Sequence, residues 1–451
     1  MAFADTMLDE SAANMIIVDR RHAPGGHWVN AYPFVRLHQP SSYYGVNSRR
    51  LGNHFKEGPG LNEGLYERAS GAELLHYYEQ VMSRLVGSGR ARFFPLCEYV
   101  GVRNGSHLLK SLVSGDEQEV QIGKKLVKTD YFKTQVPSTH PPKYAVADGV
   151  TCVPLNDLTR IARPHSGYTV VGAGKTGVDA CLWLLENGAQ PDSITWIMPR
   201  DQWFTNRATV QTADEFFVPT FTAFAQQMEA IASATNEEEL FGKLEADGVM
   251  LRMDAAVTPT MYHAAVMSEG ERTALRRIRR VIRFGRVLRI QAEQIVLEKG
   301  TIPNEIDRLV VDCSSSGFSL TARGAIFGQH LIDLFSVRWP APTLSAALIA
   351  HLEVCLASDE EKNHLAPPIP VPDRPIDWLH TTVHNLTVQA RWNGNKEVRD
   401  WIMRSRLDGY GAMAQSVNPN NVERMALRQR YKAAVASAMA NLPTLLKNSC
   451  S

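Results

Sequence analysis

Apolar and polar positions change period along the chain, and the clearest change lies in its middle. Tyr168-Thr-Val-Val171 is a short apolar run. Val178-Asp-Ala-Cys-Leu-Trp-Leu-Leu-Glu186 follows with apolar residues at helical spacing and stops at Asn187-Gly188. Ile194-Thr-Trp-Ile-Met198 is a second short apolar run. Two buried runs around an apolar helix predict a strand, helix, strand unit with parallel strands. Met15-Ile-Ile-Val18 predicts another strand, ending at Asp19, with residues 2–8 as the last turns of a preceding helix. Leu74, Leu75, Tyr78, Val81, Met82 and Leu85 recur at helical spacing and predict a helix over 71–85. Alternation over 92–102 and 108–112 predicts a small antiparallel sheet, and 287–300 reads as a hairpin. Leu309-Val-Val-Asp312 predicts a strand entering the small-residue turn 313–317. Residues 208–280 read as mostly helical, and the chain from Leu344 onward as largely helical, with strong periodicity over 378–392 and 422–446. The proline-rich run 136–144 reads as a rigid linker.

Composition narrows the class. A chain of 451 residues with 44% hydrophobic and 21% charged residues has room for two or three domains of an ordinary soluble protein. A net charge of +1 argues against a nucleic-acid surface spread over the whole chain. The arginines between Arg276 and Arg289 are expected to form a solvated helix face leading into a strand. The six cysteines are scattered, which argues against a zinc, iron–sulfur or dithiol site. The opening residues are too polar for a signal peptide, and the sequence shows no apolar run of about 18 residues. The expectation is a cytoplasmic, reduced protein with no membrane span, no metal and no nucleic-acid partner.

Chemistry enters at Gly172-Ala-Gly-Lys-Thr-Gly177, which follows the first central strand and opens the helix. In that context Gly172 allows a tight turn, Gly174 lets backbone approach a pyrophosphate, and Gly177 lets the helix pack on the strand. Lys175 and Thr176 complete the loop at a helix start that attracts phosphate. The next strand ends at Pro199-Arg200, with Arg207 close behind. A guanidinium there suits a 2′-phosphate and favours NADP(H) over NAD(H), although the adjacent Asp201 can hold Arg200 in an ion pair instead.

Asp19 sits where a second dinucleotide fold would place its ribose-binding acid; the plain alternative is a strand-end turn residue. A first strand and its glycine loop, roughly 15 residues, are expected upstream of Met1 in such a fold. Without that central strand the chain is expected to bind its first cofactor poorly or to fold poorly, the plain explanation being a start placed too late and the bolder one a protein that has given up the site. The aromatic stretch 32–45, running on to Asn47 and Arg49, suits the lining of a heteroaromatic ring or, equally, a loop packed by its own side chains.

The mid-chain glycine loop, the block Asp19, Gly25, Gly26 and Trp28, the strand-end arginine followed by Trp203 and Arg207, and the late Val-Val-Asp312 strand together resemble the flavin-containing monooxygenase and Baeyer–Villiger group. The resemblance covers roughly residues 1–330. It implies an α/β fold of two Rossmann-like three-layer domains plus a helical C-terminal region. The boundaries are 1–160 with 301–343 for an FAD-binding-like domain, 161–300 for an NAD(P)-binding domain, and 344–451 for the helices. It implies that Asp19 and Arg20 lie at the FAD ribose, that Gly25, Gly26 and Trp28 flank the flavin, and that Arg36, Leu37 and Gln39 lie near its ring. Val100 would touch the adenine, Asp312 would end a cofactor-facing strand, and Gly172, Gly174, Lys175, Thr176, Gly177, Arg200 and Arg207 would hold NADPH. Gln39, Asn47 and Arg49 are the catalytic candidates. NADPH would reduce FAD, and O₂ would then oxygenate a small organic substrate. A flavin reductase on the same scaffold, and a non-catalytic NADP(H)-binding protein without FAD, are the alternatives.

Overall fold

Helix α1 (Ala2–Glu10) buries Ala2 and Ala4 and leads into β1 (Met15–Val18). The next regular helix, α2 (Gly71–Gly87), starts at a reciprocal Ser70–Glu73 cap and buries Leu74, Tyr78, Val81 and Leu85 along one face. β2 (Ala91–Phe94) runs parallel to β1, with Met15 opposite Ala91. The alternating segment that follows forms an antiparallel sheet, β3 (Cys97–Arg103), β4 (Ser106–Ser111) and β5 (Glu117–Val120). β6 (Leu126–Lys128) closes this part of the chain. The structure is a computed structural model that describes residues 1–130, 136–314 and 324–449. Residues 315–317 of the small-residue turn therefore lie outside the described residues.

The middle unit is built around the predicted strand, helix, strand segment. After β7 (Ala145–Val146) and β8 (Cys152–Pro154) come β9 (Tyr168–Val171), α3 (Lys175–Glu186) and β10 (Ile194–Ile197). β11 (Phe204–Asn206), α4 (Phe217–Ser233), α5 (Glu237–Ala246), β12 (Met250–Leu251), β13 (Val266–Met267) and α6 (Glu269–Leu275) form an insertion. The expectation of a mostly helical 208–280 misses β12 and β13, which are two residues long and too short to show a period. β14 (Arg280–Ile282) is followed by a meander, β15 (Val287–Ile290), β16 (Gln294–Leu297) and β17 (Gly300–Pro303), and then by β18 (Leu309–Asp312). The basic run is thus turn and strand beyond the end of α6, not a helix face. Five parallel strands stand in the order β14-β10-β9-β18-β8, with every residue of β10 and β18 buried. Such fully apolar strands belong inside a sheet covered on both faces.

This sheet crosses the expected domain boundaries. β8, before residue 160, and β18, after residue 301, belong to the middle sheet rather than to the first unit. The first unit keeps two separate parallel pairs, β1 with β2, and β6 with β19 (Leu331–Asp333). Among the described residues no strand joins the pairs, and Ile16 and Leu331 are 40% and 38% exposed. Both pairs pack on one core with α1, α2 and α7 (Pro342–Cys355).

The remaining helices are α8 (Asp359–Leu365), α9 (Pro375–Gly394), α10 (Lys396–Arg404), α11 (Gly409–Gln415) and α12 (Val422–Ser449). α12 lies along α4, while α9 shares a core with α5. This region also reaches the aromatic loop of the first unit. Arg406 donates to three of its carbonyls, Val46 at 2.8 Å, Ser42 at 2.5 Å and Tyr44 at 2.6 Å.

Candidate functional site

The loop between β9 and α3 has three glycines with three different surroundings. Gly172 has φ of 131°, and a Cβ there would lie 2.5 Å from the Cys313 carbonyl oxygen. A Cβ on Gly177 would lie 2.1 Å from the Gly172 carbonyl oxygen. Both glycines are therefore required by the protein itself. Gly174 differs: its φ is −74°, and a Cβ there would meet no atom of the described residues within 4 Å. Its side of the turn opens outward.

Neighbouring groups fix the loop. The Trp196 indole N–H donates to the Gly172 carbonyl at 2.8 Å, and the Gln202 amide donates to the Ala173 carbonyl at 2.7 Å. Among the described residues no side chain caps α3, and its first helical hydrogen bond runs from the Val178 N–H to the Gly174 carbonyl. Among the same residues the N–H groups of Lys175, Thr176 and Gly177, at the positive end of the helix dipole, have no acceptor.

One face of α3 is covered by the first unit. Lys175 forms an ion pair with Asp179 one turn on, and the Tyr32 hydroxyl donates to the same carboxylate. A turn further, Phe34 stacks on Trp183, with ring centroids 5.3 Å apart and 22° between planes. The aromatic stretch thus joins the first unit to α3.

Beside it lies a buried ionic hub. Arg207, fully buried, donates to Glu271 at 2.8 Å, to the Val266 carbonyl at 3.2 Å and to the His38 carbonyl. Arg68 donates to the other Glu271 oxygen at 3.2 Å and to Glu57 at 2.9 Å. Asn62 adds a bond to Glu271 at 3.0 Å. Burial alone would push the Glu271 carboxyl up, but Arg207, Arg68 and Lys175 outweigh it and hold it down at about 2. The same three cations act with burial on His38, whose pKa falls well below the ordinary imidazole value, so its ring is neutral at pH 7.

The remaining predicted residues fall in several places. Arg207 faces this hub, which removes it from the surface where a 2′-phosphate would sit. Arg200 is engaged by Asp373 at 3.1 Å and by the Thr260 carbonyl at 2.6 Å. Asp201, expected as its possible partner, instead holds Arg283 at 2.8 Å. Arg276, Arg279 and Arg283 line an open groove of about 410 Å³ beside β10.

In the first unit, Asp19 accepts the Arg21 N–H at 2.9 Å, the turn role that was its plain alternative. Arg20 pairs with Glu98 at the surface. Gly25 and Gly26 lead into a short turn whose Trp28 donates to the Tyr44 hydroxyl at 3.2 Å. Arg36 donates to the Arg68 carbonyl at 3.0 Å, Leu37 is in the core, and Gln39 follows the anchored His38. Asn47 accepts from Ser405 at 2.8 Å. Arg49 is exposed, and its carbonyl accepts the Tyr77 hydroxyl at 2.6 Å. Val100 is 44% exposed on β3, and Asp312 accepts from Ser314 at the end of β18. The structure brings Lys175 of the glycine loop, His38 and Arg207 near one another, whereas Asn47 is tied to the C-terminal region.

Asp179, Glu271 and Arg68 are not singled out by the sequence, whereas Tyr32 and His38 lie in the aromatic stretch 32–45 read there as a ring lining or a self-packed loop. Glu271 carried one signal, the Ser268-x-x-Glu271 spacing of a helix cap, and the structure shows that cap formed. Among the described residues, no helix is long and apolar enough to cross a membrane, and no group of three or more candidate metal ligands occurs.

No family model matches the sequence. Uncharacterized protein Rv2000 of Mycobacterium tuberculosis strain H37Rv is 42% identical over 409 residues, covering 90% of this chain and 75% of that protein. Its counterpart in Mycobacterium bovis, uncharacterized protein Mb2023, matches to the same extent. Among solved structures, a flavin monooxygenase from Stenotrophomonas maltophilia aligns at TM-score 0.42 with 14% identity, over 74% of this chain and 81% of that one. Cyclohexanone monooxygenase from Rhodococcus sp. Phi1, bound to NADP+, aligns at TM-score 0.45 with 12% identity, over 96% of each chain.

Proposed function

We propose, from the premise that the chain belongs to the family of those mycobacterial proteins, that it is a flavin-dependent oxidoreductase drawing electrons from NADPH. In this reading it uses O₂ in a monooxygenase-like way on a small organic substrate. The observation that carries the reading is Gly174. Among the described residues neither its backbone angle nor its surroundings call for glycine, and it lies beside three amides without an acceptor at a helix start. A ligand bearing phosphate needs that bare backbone.

The amides of Lys175, Thr176 and Gly177 would hold the NADPH pyrophosphate. Arg200 would take the 2′-phosphate by exchanging its bond to Asp373. Asp19, Gly25, Gly26 and Trp28 would hold the flavin, with one Asp19 oxygen already given to the Arg21 amide. When bound, the flavin supplies hydride acceptance and electron transfer to O₂. The protein's part is placement. Arg207 fixes the His38 carbonyl and with it the position of Gln39, while burial and the neighbouring cations keep the His38 ring neutral.

A visible absorption spectrum of the purified chain, followed by NADPH oxidation with oxygen uptake matched to product, tests this. A yellow protein that couples the two supports the reading; one that binds neither flavin nor NADPH ends it. The separate β1–β2 and β6–β19 pairs favour one second reading, an NADP(H)-binding protein without flavin. It predicts a colourless protein that still binds NADPH.

A further inference from the structure

Lys175 occupies the first position of α3, beside the three free amides, yet its ammonium points along the helix to Asp179. Asp179 is in turn held by Tyr32 from the first unit, and the adjoining Phe34–Trp183 stack fixes that segment on the next turn. Only about 15% of the Lys175 side chain is exposed. Arg68 and Glu271 lie near enough to act on its charge from the neighbouring hub.

We propose that Asp179 and Tyr32 set the affinity of the dinucleotide site by holding Lys175 away from the phosphate it serves, so that binding transfers the ammonium from carboxylate to pyrophosphate. This rests on the nicotinamide-dinucleotide reading above and adds a link between the units. A cation that is free for only a fraction of the time lowers apparent affinity by that fraction. Each binding event also removes a partner from Asp179, and Tyr32 carries that loss to the segment leading to His38 and Gln39. Asp179 and Tyr32 are thus positioning residues, acting through Lys175.

The test is NADP⁺ binding to the full chain by titration calorimetry, with Trp183 fluorescence as a second readout of the Phe34 contact. Lys175→Met is expected to weaken binding at least tenfold and to flatten its salt dependence. Asp179→Asn is expected to tighten binding roughly three- to tenfold, as the free fraction of Lys175 rises. Tyr32→Phe should move affinity in the same direction by less, and serves if Asp179→Asn folds poorly. The gain must vanish when Lys175→Met is added. Unchanged binding in Lys175→Met, or a gain from Asp179→Asn that survives it, overturns this inference and leaves the functional reading standing. A folded unaltered chain that binds no NADP⁺ overturns both.

Discussion

Substituting Gly174 by alanine separates a cradle for a ligand from a turn that merely needs small residues. Its dihedral angles suit alanine, and the added methyl meets no atom of the described residues within 4 Å. Less conformational freedom in the unfolded chain favours the variant by about 0.4–1 kcal/mol. Alanine is the poorer residue at a helix N-cap, by an amount of similar size. The two nearly cancel, and Tm is expected to move by less than about 3 °C. A pyrophosphate lying on the Gly174 backbone would meet the methyl directly and lose one or two charge-assisted hydrogen bonds. At about 1.5–3 kcal/mol for each bond to a charged group, NADP⁺ affinity falls at least tenfold. Gly177→Ala provides the contrast, because its Cβ would lie 2.1 Å from a backbone oxygen. That crowding costs at least about 1–3 kcal/mol whether or not ligand is present. Calorimetric titration and thermal melting of both variants decide the matter. Undiminished NADP⁺ affinity in a well-folded Gly174→Ala protein would refute the reasoning.

Three further outcomes follow from the charged groups. Glu271→Gln leaves two arginines buried without their shared carboxylate and should cost about 3–5 kcal/mol in denaturant titration. Because the Glu271 carboxyl is held down at about 2 against an ordinary 4.5, its contribution is complete above the unfolded value and is lost as pH falls through the folded one. Stability measured from pH 6 down to pH 2 should therefore fall by an extra amount on the order of 3 kcal/mol in the unaltered chain, and this component should be missing from Glu271→Gln. Arg200→Ala should weaken NADPH binding and spare NADH; equal loss of both would make Arg200 only a strut between Thr260 and Asp373.

What could be read from the sequence was local. The unit from Tyr168 to Met198 is legible because strand, glycine turn, helix and strand follow one another within a single stretch, each with its own period. Helix α2 shows the same clarity, with its cap and apolar face both written in consecutive residues. The ionic hub is illegible for the opposite reason: Arg68 and Glu271 are 203 positions apart, and nothing in either neighbourhood specifies the other. Arg207 looked like a surface ligand because an arginine after a strand end is ordinarily exposed, and only the fold shows it enclosed. The sheet that β8 and β18 join is illegible too, because an apolar run of three or four residues identifies a buried strand without naming its sheet.

The clamp that Arg406 places on the carbonyls of residues 42, 44 and 46 bears on how this protein can be dissected. The final hundred residues contain no motif of their own and invite removal as a dispensable tail. Yet the guanidinium satisfies backbone acceptors of a loop some 360 positions earlier, the same loop that carries Asn47. Trimming the chain before that arginine would leave those acceptors to water and loosen the loop they belong to. A minimal fragment should accordingly be sought by shortening α12 from its far end, never by cutting ahead of α11.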